Sequence, residues 1–222
     1  MPIQALIFDF DGLILDTETP EFLTWQSIYR RYGAEMSQEE WLACVGTTQD
    51  AFNPLANLQQ RTREVIHPER ILAELHARSN QQIYQQAVMP GVMDYLEAAK
   101  TLKLKLAVAT SSTSDWVVSH LRRLDIYHYF ESVCSAESVE RVKPDPALYL
   151  CAVNALGVRP DQAVAFEDSL NGLLSAKRAG LFCVVIPNMV TRKLDFASAD
   201  LVLGSLSDAP LSELLARLNG HA

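Results

Sequence analysis

The chain has 222 residues, 49% of them hydrophobic and 21% charged, enough for one large domain or one ordinary domain with a modest insertion, and no low-complexity tract interrupts it. Its 19 Lys and Arg oppose 27 Asp and Glu, and the resulting formal charge of -8 repels nucleic acid and anionic membrane. The four cysteines (Cys44, Cys134, Cys151 and Cys183) form no CxxC pair and read as reduced thiols of a cytosolic protein, the N-terminus lacks a basic stretch and a cleavage site, and no apolar run approaches the ~18 residues of a membrane span.

The first apolar run, 5–10, has strand length and ends in acids. Residues 15–87 carry long amphipathic helical patterns, such as Phe22, Trp25, Ile28, Tyr29 and Tyr32, and no strand signal. A connection that long is read as an inserted helical domain. Pro90 and Gly91 mark the return. Apolar runs at 105–110, 132–135, 163–166, 183–186 and 201–203 then alternate with helical periods, for example Val117, Val118, Leu121 and Leu124. Strand, helix, strand in succession predicts an α/β fold: a Rossmann-like parallel sheet with helices on both faces and an inserted all-α unit. We divide the chain into a core, 1–14 and 88–222, and an insert, 15–87. Asp145 before Pro146 reads as an N-cap, and Gly157 and Gly180 as C-terminal caps.

Chemistry concentrates at the strand ends. Asp9-Phe10-Asp11-Gly12-Leu13-Ile14-Leu15-Asp16-Thr17 follows the first strand, and like charges that close raise each other's proton affinity unless a cation relieves them. The run 105–110 stops at Thr110-Ser111-Ser112, Lys143-Pro144-Asp145 follows the third strand, and Glu167-Asp168-Ser169 follows the fourth. In an open parallel sheet these ends form one crevice. Asp9, Asp11, Glu167 and Asp168 offer the hard oxygens that Mg2+ prefers. Thr110 and the Ser111 amide suit phosphate oxygens, and Lys143 adds a point charge. Asp9 reads as a carboxylate nucleophile; Asp11, two positions on along an extended strand, points to the same side as an acid and base.

These segments, DxDGxxxDT, Thr110-Ser111, Lys143-Pro144-Asp145-Pro146 and Glu167-Asp168-Ser169-x-x-Gly172, together resemble the haloacid dehalogenase superfamily. With its helical insert after the first motif, the chain is similar to the subgroup that includes beta-phosphoglucomutase and many sugar-phosphate phosphatases. The resemblance implies Asp9 as nucleophile and metal ligand, Asp11 as acid and base with its backbone carbonyl on the metal, Thr110 and Lys143 on phosphate, and Asp168 on the metal. It also implies that the insert is a mobile cap hinged at 13–17, with a substrate-reading loop around Gly46 and Thr47. The expectation is a monomeric, cytoplasmic, Mg2+-dependent phosphatase that acts on a small phosphorylated metabolite, a sugar phosphate first, through an aspartyl phosphate.

Two alternatives stand beside it. A hexose-phosphate mutase of the beta-phosphoglucomutase type is disfavoured because Val45 and Gln49 flank Gly46 where mutases carry basic residues, and Glu21 falls where they carry a histidine. A receiver-like phosphoacceptor module is disfavoured by the order of its acids and by the insert. The five histidines, at 67, 76, 120, 128 and 221, show no ligand spacing. Arg61, Arg63, Arg70 and Arg78 read as solvated faces, and Asp16 as a helix cap.

Overall fold

A computed structural model describes residues 2–43 and 52–219. Six parallel strands, β1 (Ala5–Phe8), β2 (Lys105–Ala109), β3 (Ser132–Cys134), β4 (Ala163–Glu167), β5 (Phe182–Val185) and β6 (Leu201–Val202), form one sheet in the order β3-β2-β1-β4-β5-β6. The chain moves outward from β1 to β3, then crosses back to place β4 on the other side of β1. The crevice of a doubly wound sheet opens where the order reverses, here between β1 and β4.

Alternation along the strands sorts the two faces. Leu6, Phe8, Leu106, Val108 and Phe166 lie under α5 (Val92–Thr101), α6 (Ser114–Arg123) and α9 (Leu211–Asn219). Phe8 and Phe166 are register partners whose rings stack at 4.8 Å. The opposite face is built of Ala5, Ala107, Ala109, Ala163 and Ala165 with Ile7, and these small side chains let α7 (Ala147–Leu156) and α8 (Leu170–Arg178) lie close. Burying each large apolar side chain contributes about 1.5–3 kcal/mol, so both faces are held firmly and the strand ends above them are fixed.

Between β1 and α5 run α1 (Glu18–Arg31), α2 (Gln38–Leu42), α3 (Pro54–Arg61) and α4 (Pro68–Tyr84). They gather a separate apolar cluster of Phe22, Trp25, Ile28, Tyr29, Trp41 and Ile71, joined by Val190 from the loop after β5. The two linkers meet where the Met89 amide donates to the Ile14 carbonyl, 2.8 Å away. Arg31 and Arg78 pair with Glu74, and Arg61 with Glu40, at exposed or half-buried surface positions where each pair contributes about 0–1 kcal/mol.

Three expectations need correction. Cys134 and Cys151 are joined in a disulfide, with Cα atoms 6.3 Å apart. α7 lies across β3 and brings a helix cysteine over a strand-end cysteine, a meeting that a sequence separation of 17 does not display. Cys183 stays a buried free thiol, and Cys44 lies outside the described residues. Secondly, β1 ends at Phe8, and Gly12, at φ 78°, turns the chain so that the Ile14 amide returns to the Phe10 carbonyl. Asp9 and Asp11 therefore do not share one extended strand. Gly157 does take the left-handed C-cap of α7, while Pro146, rather than Asp145, stands at its N-cap. Among the described residues no helix is long and apolar enough to cross a membrane.

Candidate active site

Asp9 leaves β1 with its amide bonded to the Phe166 carbonyl at 2.9 Å, which seats it beside the end of β4. Its Oδ1 accepts from the Phe10 amide at 2.7 Å and pairs with Lys143 Nζ at 2.8 Å. The same ammonium lies 2.7 Å from Glu167 Oε1, which also accepts the Tyr149 hydroxyl at 2.5 Å. Glu167 Oε2 takes the Ser169 hydroxyl and the Asp168 amide, each at 3.3 Å. The two Glu167 oxygens thus meet four protein donors, one of them the Lys143 ammonium. Gly172 permits this: a Cβ there would fall 1.9 Å from the Glu167 carboxyl.

Asp168 is 1% exposed, and only half of it is satisfied. Its Oδ2 accepts from Asn188 Nδ2 at 2.6 Å, while Oδ1 is buried without a hydrogen-bond partner. Asn188 Nδ2 also donates to Glu18 Oε2 at 3.0 Å, and its Oδ1 takes the Val190 and Thr191 amides at 2.8 and 3.0 Å. Gly12 passes so near that a Cβ would sit 2.4 Å from Asp168 Oδ2.

The Asp11 carboxylate has other partners. Oδ1 accepts from Thr17 Oγ1 at 2.8 Å and Trp116 Nε1 at 3.1 Å; Oδ2 accepts from Ser112 Oγ at 2.6 Å and lies 3.5 Å from Thr110 Oγ1. Thr110, at the end of β2, also accepts from the Ser112 amide at 3.0 Å, and Ser111 lies half-buried between the two.

The electrostatics are one-sided. Among the described residues Lys143 is the one cation that pairs into the trio Asp9, Glu167 and Asp168, bonding to the first two, and the trio's ligand oxygens lie within 4.8 Å of one another. Burial, then Glu167, push the Asp9 pKa up to about 7 against the pull of Lys143. Burial and Glu18 push Asp168 well above the ordinary carboxylate range. On α1, burial raises Glu18 to about 8, with Asp11 and Asp9 adding to the effect, and raises Glu21 to about 7, with Asp11 adding again. Burial alone would lower the Lys143 pKa, but Asp9 and Glu167 hold it above its ordinary value. A hard cation beside Asp9 and Asp168 would relieve this repulsion and meet the orphaned Asp168 oxygen, so the donor set fits a metal ion.

The strand-end residues Asp9, Lys143, Glu167 and Asp168 therefore converge in one crevice. Asp11 and Thr110 share its rim, with Ser111 beside them in the chain, and Gly46 and Thr47 lie outside the described residues. Sequence reasoning missed Trp116, Ser112 and Asn188. Asp16 accepts the Thr19 amide at 3.0 Å, as expected of a capping side chain.

A family model described as haloacid dehalogenase-like hydrolase matches residues 6–186. The chain is 42% identical over 219 residues to YhcW of Bacillus subtilis (strain 168), covering 99% of both. It is 32% identical over 190 residues to the phosphorylated carbohydrates phosphatase of Thermotoga maritima, covering 81% of this chain and 82% of that one. It is also similar to the crystal structure of CbbY from Rhodobacter sphaeroides in complex with phosphate, at a TM-score of 0.73 and 31% identity over 98% of this chain and 99% of the other.

Proposed function

Since the chain belongs to the haloacid dehalogenase-like hydrolase family, we propose that it is a phosphatase that moves a phosphoryl group from a small sugar monophosphate onto Asp9 and then to water. The observation that carries this reading is the seating of Asp9 against Lys143 and beside Asp168, whose buried Oδ1 lacks a partner. With Oδ1 of Asp9 engaged by Lys143 and the Phe10 amide, Oδ2 is the attacking oxygen. The Asp9 O–P bond forms as the ester O–P bond breaks. Asp11 gives its proton to the leaving alkoxide, then takes one from the water that attacks phosphorus, and free phosphate and Asp9 are restored.

Thr110, Ser111 and Lys143 hold the phosphate oxygens, Lys143 countering charge on nucleophile and phosphoryl group together. Asp9, Asp168 and the Asp11 backbone hold Mg2+, with Glu167 fixing Lys143 behind them. When bound, that ion supplies positive charge that keeps Asp9 ionised and offsets charge on the transferring group. The core is 1–14 and 88–222, and the insert, 15–87, closes over the crevice and excludes water. Every proposed group comes from one chain, so a monomer suffices.

The insert also selects the leaving group. Its face toward the site carries Glu18 and Glu21, its paired arginines are spent on the half-buried Glu40 and Glu74, and residues 44–51 contain neither Lys nor Arg. That favours a neutral, hydroxyl-bearing leaving group over one with a second phosphate, and hydrolysis over a mutase that must retain a bisphosphate. A phosphate-release screen with Mg2+ over sugar mono- and bisphosphates tests the reading. The expected result is release from monophosphates with bisphosphates far slower; isomer formation that requires a bisphosphate activator, without phosphate release, would overturn it.

A further inference from the structure

Trp116 touches the site from α6, a helix the strand-end motifs do not include. Thr113 caps that helix by accepting the Trp116 amide at 3.4 Å, and the indole Nε1 reaches Asp11 Oδ1 at 3.1 Å. An indole N–H can only donate. Together with Thr17 it places two donors on Asp11 Oδ1. Oδ2 instead meets Ser112, whose hydroxyl can donate or accept, and faces Thr110 in the proposed phosphate cradle. Oδ1 is therefore the anchored oxygen, and Oδ2 is the one presented to the reacting ester.

The indole is itself braced. His120, fully buried, stands edge-on to it with ring centroids 4.3 Å apart, and His120 Nδ1 accepts from Arg123 Nε at 3.2 Å. Arg123 in turn donates to the carbonyls of Tyr84 and Gln86, at 3.1 and 3.0 Å, where the chain leaves α4. One face of α6 thus runs from the acid–base carboxylate to the returning linker of the insert. Trp25 and Trp41 belong to the insert's own apolar cluster and take no part.

The geometry points to Trp116 as a positioning residue that aims Asp11 Oδ2 at the leaving oxygen, an assignment that rests on the phosphatase reading given above. Its consequence depends on the leaving group. A sugar alkoxide needs a proton as it departs, whereas nitrophenolate leaves without one, so misaiming Asp11 slows only the first.

The test measures leaving-group release in single turnovers of the Mg2+-loaded enzyme. Trp116→Phe is expected to slow release from a sugar monophosphate by about 10–100-fold and from p-nitrophenyl phosphate by less than about threefold, with KM little changed. Thr17→Val, which removes the other Oδ1 donor, is expected to give the same split and decides the matter alone if the Trp116 variant does not fold. Equal losses on both esters, or no loss on the sugar ester, would overturn the assignment. Asp9→Asn in parallel separates the two readings, because activity surviving in that variant refutes the phosphatase mechanism itself.

Discussion

The two walls of the crevice are built on opposite electrostatic terms. On one side, at the ends of β1 and β4 and the loop that follows β3, Asp9, Lys143 and Glu167 form a closed set in which the ammonium lies 2.8 and 2.7 Å from two carboxylates and Tyr149 caps one of them. On the other side, where α1 and the loop after β5 meet the residue that follows β4, Glu18, Glu21 and Asp168 face the site with no cation paired to them among the described residues, and Asn188 bridges Glu18 and Asp168. The first wall is satisfied by the protein. The second is satisfied only when positive charge arrives, and the difference separates the groups that hold the nucleophile in place from those that make the site wait for a metal ion.

The largest effect should come from breaking the satisfied wall. Lys143→Met leaves Asp9 and Glu167 buried as like charges, and we expect a loss of about 3–5 kcal/mol in urea unfolding along with nearly all phosphate release. A stability unchanged within error would mean that Lys143 is not the keystone of that wall.

Gly172→Ala attacks the same wall through space rather than charge. The new methyl would overlap the Glu167 carboxyl, forcing it away from Lys143. About 1–3 kcal/mol of destabilisation is expected, with a parallel fall in kcat. A fully stable, fully active Gly172→Ala protein would show that Glu167 can move without consequence.

The unsatisfied wall predicts a smaller effect of characteristic sign. Glu18 and Glu21 have folded-state pKa values of about 8 and 7, above their ordinary 4.5. Between those limits the folded protein binds more protons than the unfolded chain, so stability is greatest below about pH 4 as far as these groups are concerned and is lost as pH rises toward 8. After treatment with a chelator, Tm should fall by a few degrees between pH 6 and pH 8, and added Mg2+ should abolish most of the fall. A chelated protein whose Tm rises over this interval would contradict the one-sided charge of the second wall.

The same contrast decides what the sequence displayed. Asp9, Glu167 and Asp168 stood out because each stands at the end of a buried apolar run, and a parallel sheet brings such positions to one edge whatever the loops do, whereas Lys143 lies in the loop after β3 and stood out by its Lys-Pro-Asp segment. Asn188 sits in a loop whose course depends on tertiary packing, and Trp116 occupies an ordinary position in an amphipathic helix. Only the folded approach of α6 to the turn after β1 turns that indole toward Asp11. The turn itself hid the true relation of Asp9 to Asp11, because a run of apolar residues through Phe10 gives no sign that β1 stops at Phe8. The pairing of Cys134 with Cys151 escaped for a similar reason: contact between a strand end and the helix laid over it has no sequence period.

In the proposed reaction the Asp9 carboxylate itself takes up phosphorus. Rapid acid quenching of the Mg2+-loaded enzyme during turnover of a sugar monophosphate, followed by proteolysis and mass spectrometry, tests it directly. A phosphoryl adduct is expected on the peptide that contains Asp9, absent after Asp9→Asn. Turnover at full rate with no adduct on that peptide, or an adduct that survives the Asp9→Asn substitution, would contradict it.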